Sequence, residues 1–144
     1  MKDLKLLLFA FLIVFIACQR PDHSKTITTT DTSSKIEVID FYGTHRCMTC
    51  EAIEANAKYT VDTYFADEVQ EGKVTFKTVN VDAEENYAIA ERFEAAGTAL
   101  FINVIKDQKE QHIDLTTFAF AKGRDKEVFS TELREKINEQ LKTL

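Results

Sequence analysis

The sequence predicts an α/β domain over residues 36–144: a mixed sheet in the order β-α-β-α-β-β-α, with helices on both faces. Three observations predict it. Short β-branched and aromatic runs alternate with stretches whose apolar residues recur at helical spacing. Helical stretches separate the early strands, which implies right-handed parallel crossovers. A polar turn at 107–111 joins the last two strands too closely for a crossover, which implies an antiparallel hairpin.

The elements follow in order. Residues 36–42, Ile-Glu-Val-Ile-Asp-Phe-Tyr, read as a buried strand. Over 49–66, Ile53, Ala57, Val61, Tyr64 and Phe65 form a helical stripe. Gly72 breaks the chain, and 74–81 is a second strand. Asp82 and Glu85 resemble a helix N-cap and its reciprocal acid, Ile89, Phe93 and Ala96 give a short helix face, and Gly97 is a helix stop. Leu100 to Ile105 is a third strand, and Ile113 to Phe120 a fourth with partial alternation, broken by Gly123. Phe129, Leu133, Ile137 and Leu141 recur every four residues on a closing helix. No internal repeat and no second domain are visible.

The balance of 44% hydrophobic and 29% charged residues is that of a globular chain, and eleven Phe with no Trp point to a phenylalanine core. A net charge of −6 argues against a nucleic-acid partner, which needs a basic face. The first 35 residues stand apart. Lys2 and Lys5 precede an unbroken apolar run, Leu6 to Ala17, too short to cross a bilayer of roughly 30 Å. This is the form of a secretory signal, residues 1–17. The run ends Phe15-Ile16-Ala17-Cys18, which resembles a bacterial lipobox. That resemblance implies cleavage before Cys18, lipidation of Cys18 and a periplasm-facing lipoprotein held to the membrane of the cell envelope. Residues 18–35, rich in Thr, Ser and Asp, read as a flexible tether.

The sharpest motif is Cys47-Met48-Thr49-Cys50, between the first strand and the first helix. A Cys at a helix N-terminus meets unpaired N–H groups and the positive end of the helix dipole, both favouring thiolate. His45 and Arg46 can lower its pKa further. Cys50, one turn on, lies within reach of the Cys47 sulfur, so the pair can close a ring and resolve a mixed disulfide. Three chemistries fit the pair. One is redox exchange. Another is soft-metal binding: His45, Cys47, Met48 and Cys50 could hold Cu(I), although Ile53 stands where copper-chaperone loops carry a second Cys. The third is a purely structural disulfide. A four-ligand zinc site would need a second CxxC, and there is none. Asp40 sits among apolar neighbours, and a buried carboxylate near the pair could move a proton.

The strand–CxxC–helix unit resembles thioredoxin. Asp40-Phe41-Tyr42 is similar to the thioredoxin strand that ends in a buried Asp followed by aromatics. Val79-Asn80-Val81-Asp82 is similar to the next strand, and Ala121-Lys122-Gly123 with its long helix to the ending. The resemblance covers residues 36–144 in element order and implies a thioredoxin-like fold. It further implies thiol–disulfide exchange through Cys47 and Cys50, protein dithiols or disulfides as partners, a membrane thiol carrier for recycling, and no cofactor. Asp40 would be the proton relay. The chain departs from the family pattern in three places. Asp40 lies seven residues before Cys47, one more than usual. Met-Thr replaces Gly-Pro between the cysteines. The cis-proline before the third strand is absent, since Pro21 is the sole proline; Thr98, within Gly97-Thr98-Ala99-Leu100, occupies the matching stretch. A copper-binding or non-catalytic binding module of the same fold is the alternative.

Overall fold

The computed structural model describes residues 34–144. The readings of a signal segment over 1–17, of lipidation at Cys18 and of nearly all the 18–35 tether lie outside the described residues. Lys35, read as the last tether residue, is the first residue of a strand.

Four strands form one sheet: β1 (Lys35–Tyr42), β2 (Val74–Asn80), β3 (Ala99–Lys106) and β4 (Lys109–Asp114). The spatial order is β2-β1-β3-β4, with β2 parallel to β1 and the other neighbours antiparallel. Among the described residues six helical segments accompany them: α1 (Met48–Tyr64), α2 (Ala66–Gln70), a 3₁₀ turn (Glu84–Asn86), α3 (Tyr87–Arg92), α4 (Thr116–Lys122) and α5 (Lys126–Leu141).

β1 lies between two strands and is covered on both faces, which is why it reads as a nearly continuous apolar run. Successive side chains alternate faces. Ile36 and Val38 face one core with Ile53, Ala57 and Val61 of α1 and Phe129, Leu133 and Ile137 of α5. Burying each of these large side chains is worth about 1.5–3 kcal/mol. Ile39 and Phe41 face a second, smaller core with Val79, Phe93 and Phe101. Phe41, Phe93 and Phe101 meet pairwise, centroids 5.3–5.7 Å apart, an aromatic cluster beneath the end of β1. Asp40, in step with Ile36 and Val38, therefore lies on the α1 face, between Thr78 of β2 and Leu100 of β3.

Four local expectations are corrected. The fourth strand is Lys109–Asp114, not 113–120. Residues 116–122 are helix because Asp114 Oδ1 accepts from Thr116 N at 2.7 Å, and because helical spacing buries Leu115 and Ala119 together while leaving Phe120 exposed. The polar 107–111 segment is not all turn. Only Asp107 and Gln108 turn, both at positive φ, and Lys106 pairs with Lys109. Lys109–Gln111 belong to an edge strand whose side chains are exposed, so no alternation marked it. Asp82 does not cap a helix; its carboxylate accepts from Thr44 N, and α3 starts without a side-chain cap. Gly97 is not the helix stop. α3 ends at Arg92, and the chain reverses through Glu94 at φ 53°.

Gly123 ends α4 against α1, where Asn56 Nδ2 donates to its carbonyl at 2.9 Å. A Cβ there would stand 2.5 Å from both the Ala119 carbonyl oxygen and Ile53 Cγ1. Gly123→Ala should therefore destabilise the fold by about 1–3 kcal/mol through forced repacking of α1 against α4. Urea unfolding reads this directly, and an unchanged midpoint would contradict the packing described.

Candidate active site

β1 delivers the chain into a four-residue loop, Gly43–Arg46, and α1 begins immediately after Cys47. The loop is fixed at two points on the β2 side. Val81 N donates to the Tyr42 carbonyl at 2.8 Å, and Thr44 N donates to Asp82 Oδ2 at 2.6 Å. The Thr44 bond, with a smaller contribution from nearby His45, holds the Asp82 carboxyl below its ordinary pKa.

Cys47 is the N-cap of α1, in extended conformation, and its Sγ accepts from Cys50 N at 3.1 Å. Sulfur stands where a Ser or Asp oxygen usually satisfies the first free N–H groups. The two cysteines form a disulfide with Cα atoms 5.1 Å apart. Their environments differ. Cys47 is exposed, while Cys50 is 6% exposed and faces the core. Only the Cys47 sulfur is open to a partner from outside, and it is the one that accepts a helix N–H, which stabilises a thiolate.

Below α1 lies Asp40, with no exposed surface and no hydrogen-bond partner for either carboxylate oxygen among the described residues. Burial, aided by the negative charge of Glu54 and opposed by Arg46, pushes its pKa up to about 7. Arg46 connects these groups. Its Nη1 pairs closely with Glu54 Oε2. Its Nη2 donates to the Cys50 carbonyl at 3.3 Å and lies 3.6 Å from Asp40 Oδ2, too far for a hydrogen bond. The guanidinium sits over the Tyr42 ring at 4.6 Å.

The structure thus brings together Cys47, Cys50, Asp40 and Arg46, and adds Glu54. The sequence hint for Glu54 was its position four residues after Cys50 on the same helix face. His45 is exposed and lies near Asp82, and it is not among the groups that act on Asp40. Thr98 is half-buried just before β3. Because Phe41 pairs with Ala99, it lies at the end of the sheet that bears the cysteines. It lines an open cleft of about 480 Å³ with Arg92, Phe93, His112 and Asp114. Among the described residues no peptide bond is cis. Met48, between the cysteines, is 74% exposed. Among the described residues no group of three or more His, Cys, Asp or Glu is placed to hold a metal ion.

A parallel β1–β2 pair crossed by α1, an antiparallel β3–β4 hairpin, helices on both faces and a CxxC pair opening α1 define a thioredoxin-like domain, and that combination suggests a redox function. Comparison with solved structures finds a thioredoxin from Thermus thermophilus, 19% identical, covering 70% of this chain and 72% of that one at a TM-score of 0.47. A malarial protein is 15% identical over 61% of this chain and 94% of that one, at a TM-score of 0.39. No protein-family model and no curated protein matches the chain.

The raised pKa of Asp40 makes stability depend on pH. Unfolded, the carboxyl ionises near its ordinary 3.8; folded, near 7. Between those values the folded state binds more protons, so stability falls as pH rises through that window and is flat on either side. The charge in Asp40 should lower stability by about 4 kcal/mol between pH 4 and pH 7.5. Asp40→Asn should therefore gain stability relative to the unsubstituted protein as pH rises through this window, read by urea unfolding at both pH values. Parallel behaviour of the two proteins would rule out the buried ionisable Asp40.

Proposed function

We propose that this protein is a thiol–disulfide oxidoreductase that exchanges disulfides with partner proteins through Cys47 and Cys50. The observation that carries the proposal is the asymmetry of the pair: an exposed Cys47 capping a helix, bonded to a buried Cys50 whose carbonyl shares the Arg46 guanidinium with a buried carboxylate, Asp40. In the reducing direction, Cys47 thiolate attacks a partner disulfide, forming a mixed disulfide and releasing one partner thiolate. The Cys50 thiol passes its proton to Asp40 and attacks the Cys47 sulfur. The mixed disulfide breaks, the second partner thiolate leaves and takes up a proton, and the 47–50 disulfide closes. Two electrons move from this protein to the partner. The reverse sequence oxidises a partner dithiol. No cofactor takes part.

The site of action in this proposal is the periplasmic side of a bacterial envelope. The support is in the sequence: a basic start, the apolar run 6–17 and the lipobox-like ending at Cys18. Lipidation of Cys18 tethers the domain to the membrane, and a membrane thiol carrier returns Cys47 and Cys50 to their starting state.

The test is trapping. Cys50→Ser should accumulate mixed disulfides with partner proteins through Cys47, visible as higher-mass bands on non-reducing gels that vanish on reduction. Cys47→Ser should reduce exchange to background in insulin or scrambled-ribonuclease assays. Full exchange activity in Cys47→Ser would sink the mechanism.

A further inference from the structure

Among the described residues Arg46 is the one cation beside the buried carboxylate, and it is shared unequally. Its Nη1 pairs closely with Glu54, while its Nη2 stands 3.6 Å from Asp40 Oδ2 and bonds instead to the Cys50 carbonyl at 3.3 Å. A guanidinium and a carboxylate left to themselves meet in a two-bond fork. Here that fork is not formed, and both Asp40 oxygens are without a hydrogen bond among the described residues. The cation is fixed from several sides. Glu54 holds one nitrogen, the Tyr42 ring lies against its face, and the Cys50 carbonyl takes the other nitrogen.

We propose that Glu54 is a positioning residue: by holding Arg46 away from a full pairing with Asp40, it keeps the Asp40 carboxylate free to accept the Cys50 proton. The inference rests on the exchange mechanism above and deepens it. A carboxylate locked in a fork with Arg46 would be a weak base, because its ionised form would be held by the cation. A carboxylate with no cation nearby would be ionised only at higher pH. Glu54 sets the protein between these limits and ties the base to the cysteine, since one guanidinium contacts both Asp40 and the Cys50 backbone.

The groups that act on Asp40 can be named element by element. Arg46 comes from the loop, and Glu54 from α1. Its sheet neighbours in register, Thr78 on β2 and Leu100 on β3, carry no charge. Glu37 and Lys77 pair with each other on the opposite face of the sheet. Two charges of opposite sign therefore bias Asp40, and removing them should have opposite effects.

The experiment uses the reduced full-length chain mixed with dithiobis(nitrobenzoate) in a stopped-flow instrument. Cys18→Ser is present throughout, so that Cys47 and Cys50 are the only thiols. The first thionitrobenzoate released reports attack by Cys47. The second reports the intramolecular attack of Cys50 on the mixed disulfide, and its rate is followed against pH. Glu54→Gln should shift the midpoint of that second phase to lower pH by about one unit, as Arg46 closes on Asp40. Arg46→Gln should shift it to higher pH. Glu54→Asp, which keeps the charge, should lie near the unsubstituted protein. A residue that only stabilised the helix would change melting temperature and leave these midpoints in place. Asp40→Asn separates the two levels of the account. If Asp40→Asn leaves the second-phase profile unchanged, the proton-acceptor role of Asp40 falls, and this inference with it. If Asp40→Asn abolishes the titration but Glu54→Gln and Arg46→Gln do not move the midpoint in opposite directions, the inference alone is overturned.

Discussion

The burial of one carboxylate is the constraint around which this domain is organised. Asp40 lies on the core face of the central strand, in step with Ile36 and Val38, where an apolar residue would pack well. An ionised group there is opposed by desolvation, which its neighbours offset only in part. The response is visible in its surroundings. One cation, Arg46, is near enough to moderate the charge but is held by Glu54 and the Tyr42 ring. The loop that carries Arg46 is fixed in turn by Asp82 through Thr44. Buried polar groups of this kind seldom serve stability, and burial raises this carboxyl to a pKa of about 7.

The scaffold makes that arrangement possible by backing β1 from both sides. On one face, α1 and α5 bury an aliphatic core around Ile53, Leu133 and Ile137. On the other, Phe41, Phe93 and Phe101 form a compact aromatic cluster directly behind the strand end that leads into the active loop. The first helical turn of α1 is held at its foot by sulfur rather than oxygen, so the residue that caps the helix is also a member of the disulfide. Oxidation state and local helix geometry therefore share an atom.

Elements whose burial pattern is strong were legible in the sequence. β1, α1 and α5 each carry an uninterrupted apolar signal, and their bounds differ from expectation by a few residues at most. The segment around 109–122 was not legible, for two reasons. An edge strand with exposed side chains has no alternation to read, and Leu115-Thr-Thr-Phe-Ala-Phe-Ala fits either period until the turn bond from Thr116 N to Asp114 favours the helix. The site divides the same way. Cys47 and Cys50 are adjacent along the chain, and the burial of Asp40 follows from its neighbours. Glu54 was missed because its part depends on how the 43–46 loop folds back over α1, which is a tertiary fact. The same fold of the loop turns His45 toward Asp82 and leaves Arg46 as the inward residue.

The central claim, that Cys47 and Cys50 form a working redox couple, is tested most directly by equilibrating the protein in glutathione and dithiothreitol buffers. The fraction of 47–50 disulfide is read by thiol alkylation and mass spectrometry. A single reversible two-electron transition between about −270 and about −120 mV is the expected result, and its position gives the direction of electron flow. A pair that shows no reversible transition across that range would contradict the account and leave the disulfide as a structural bond.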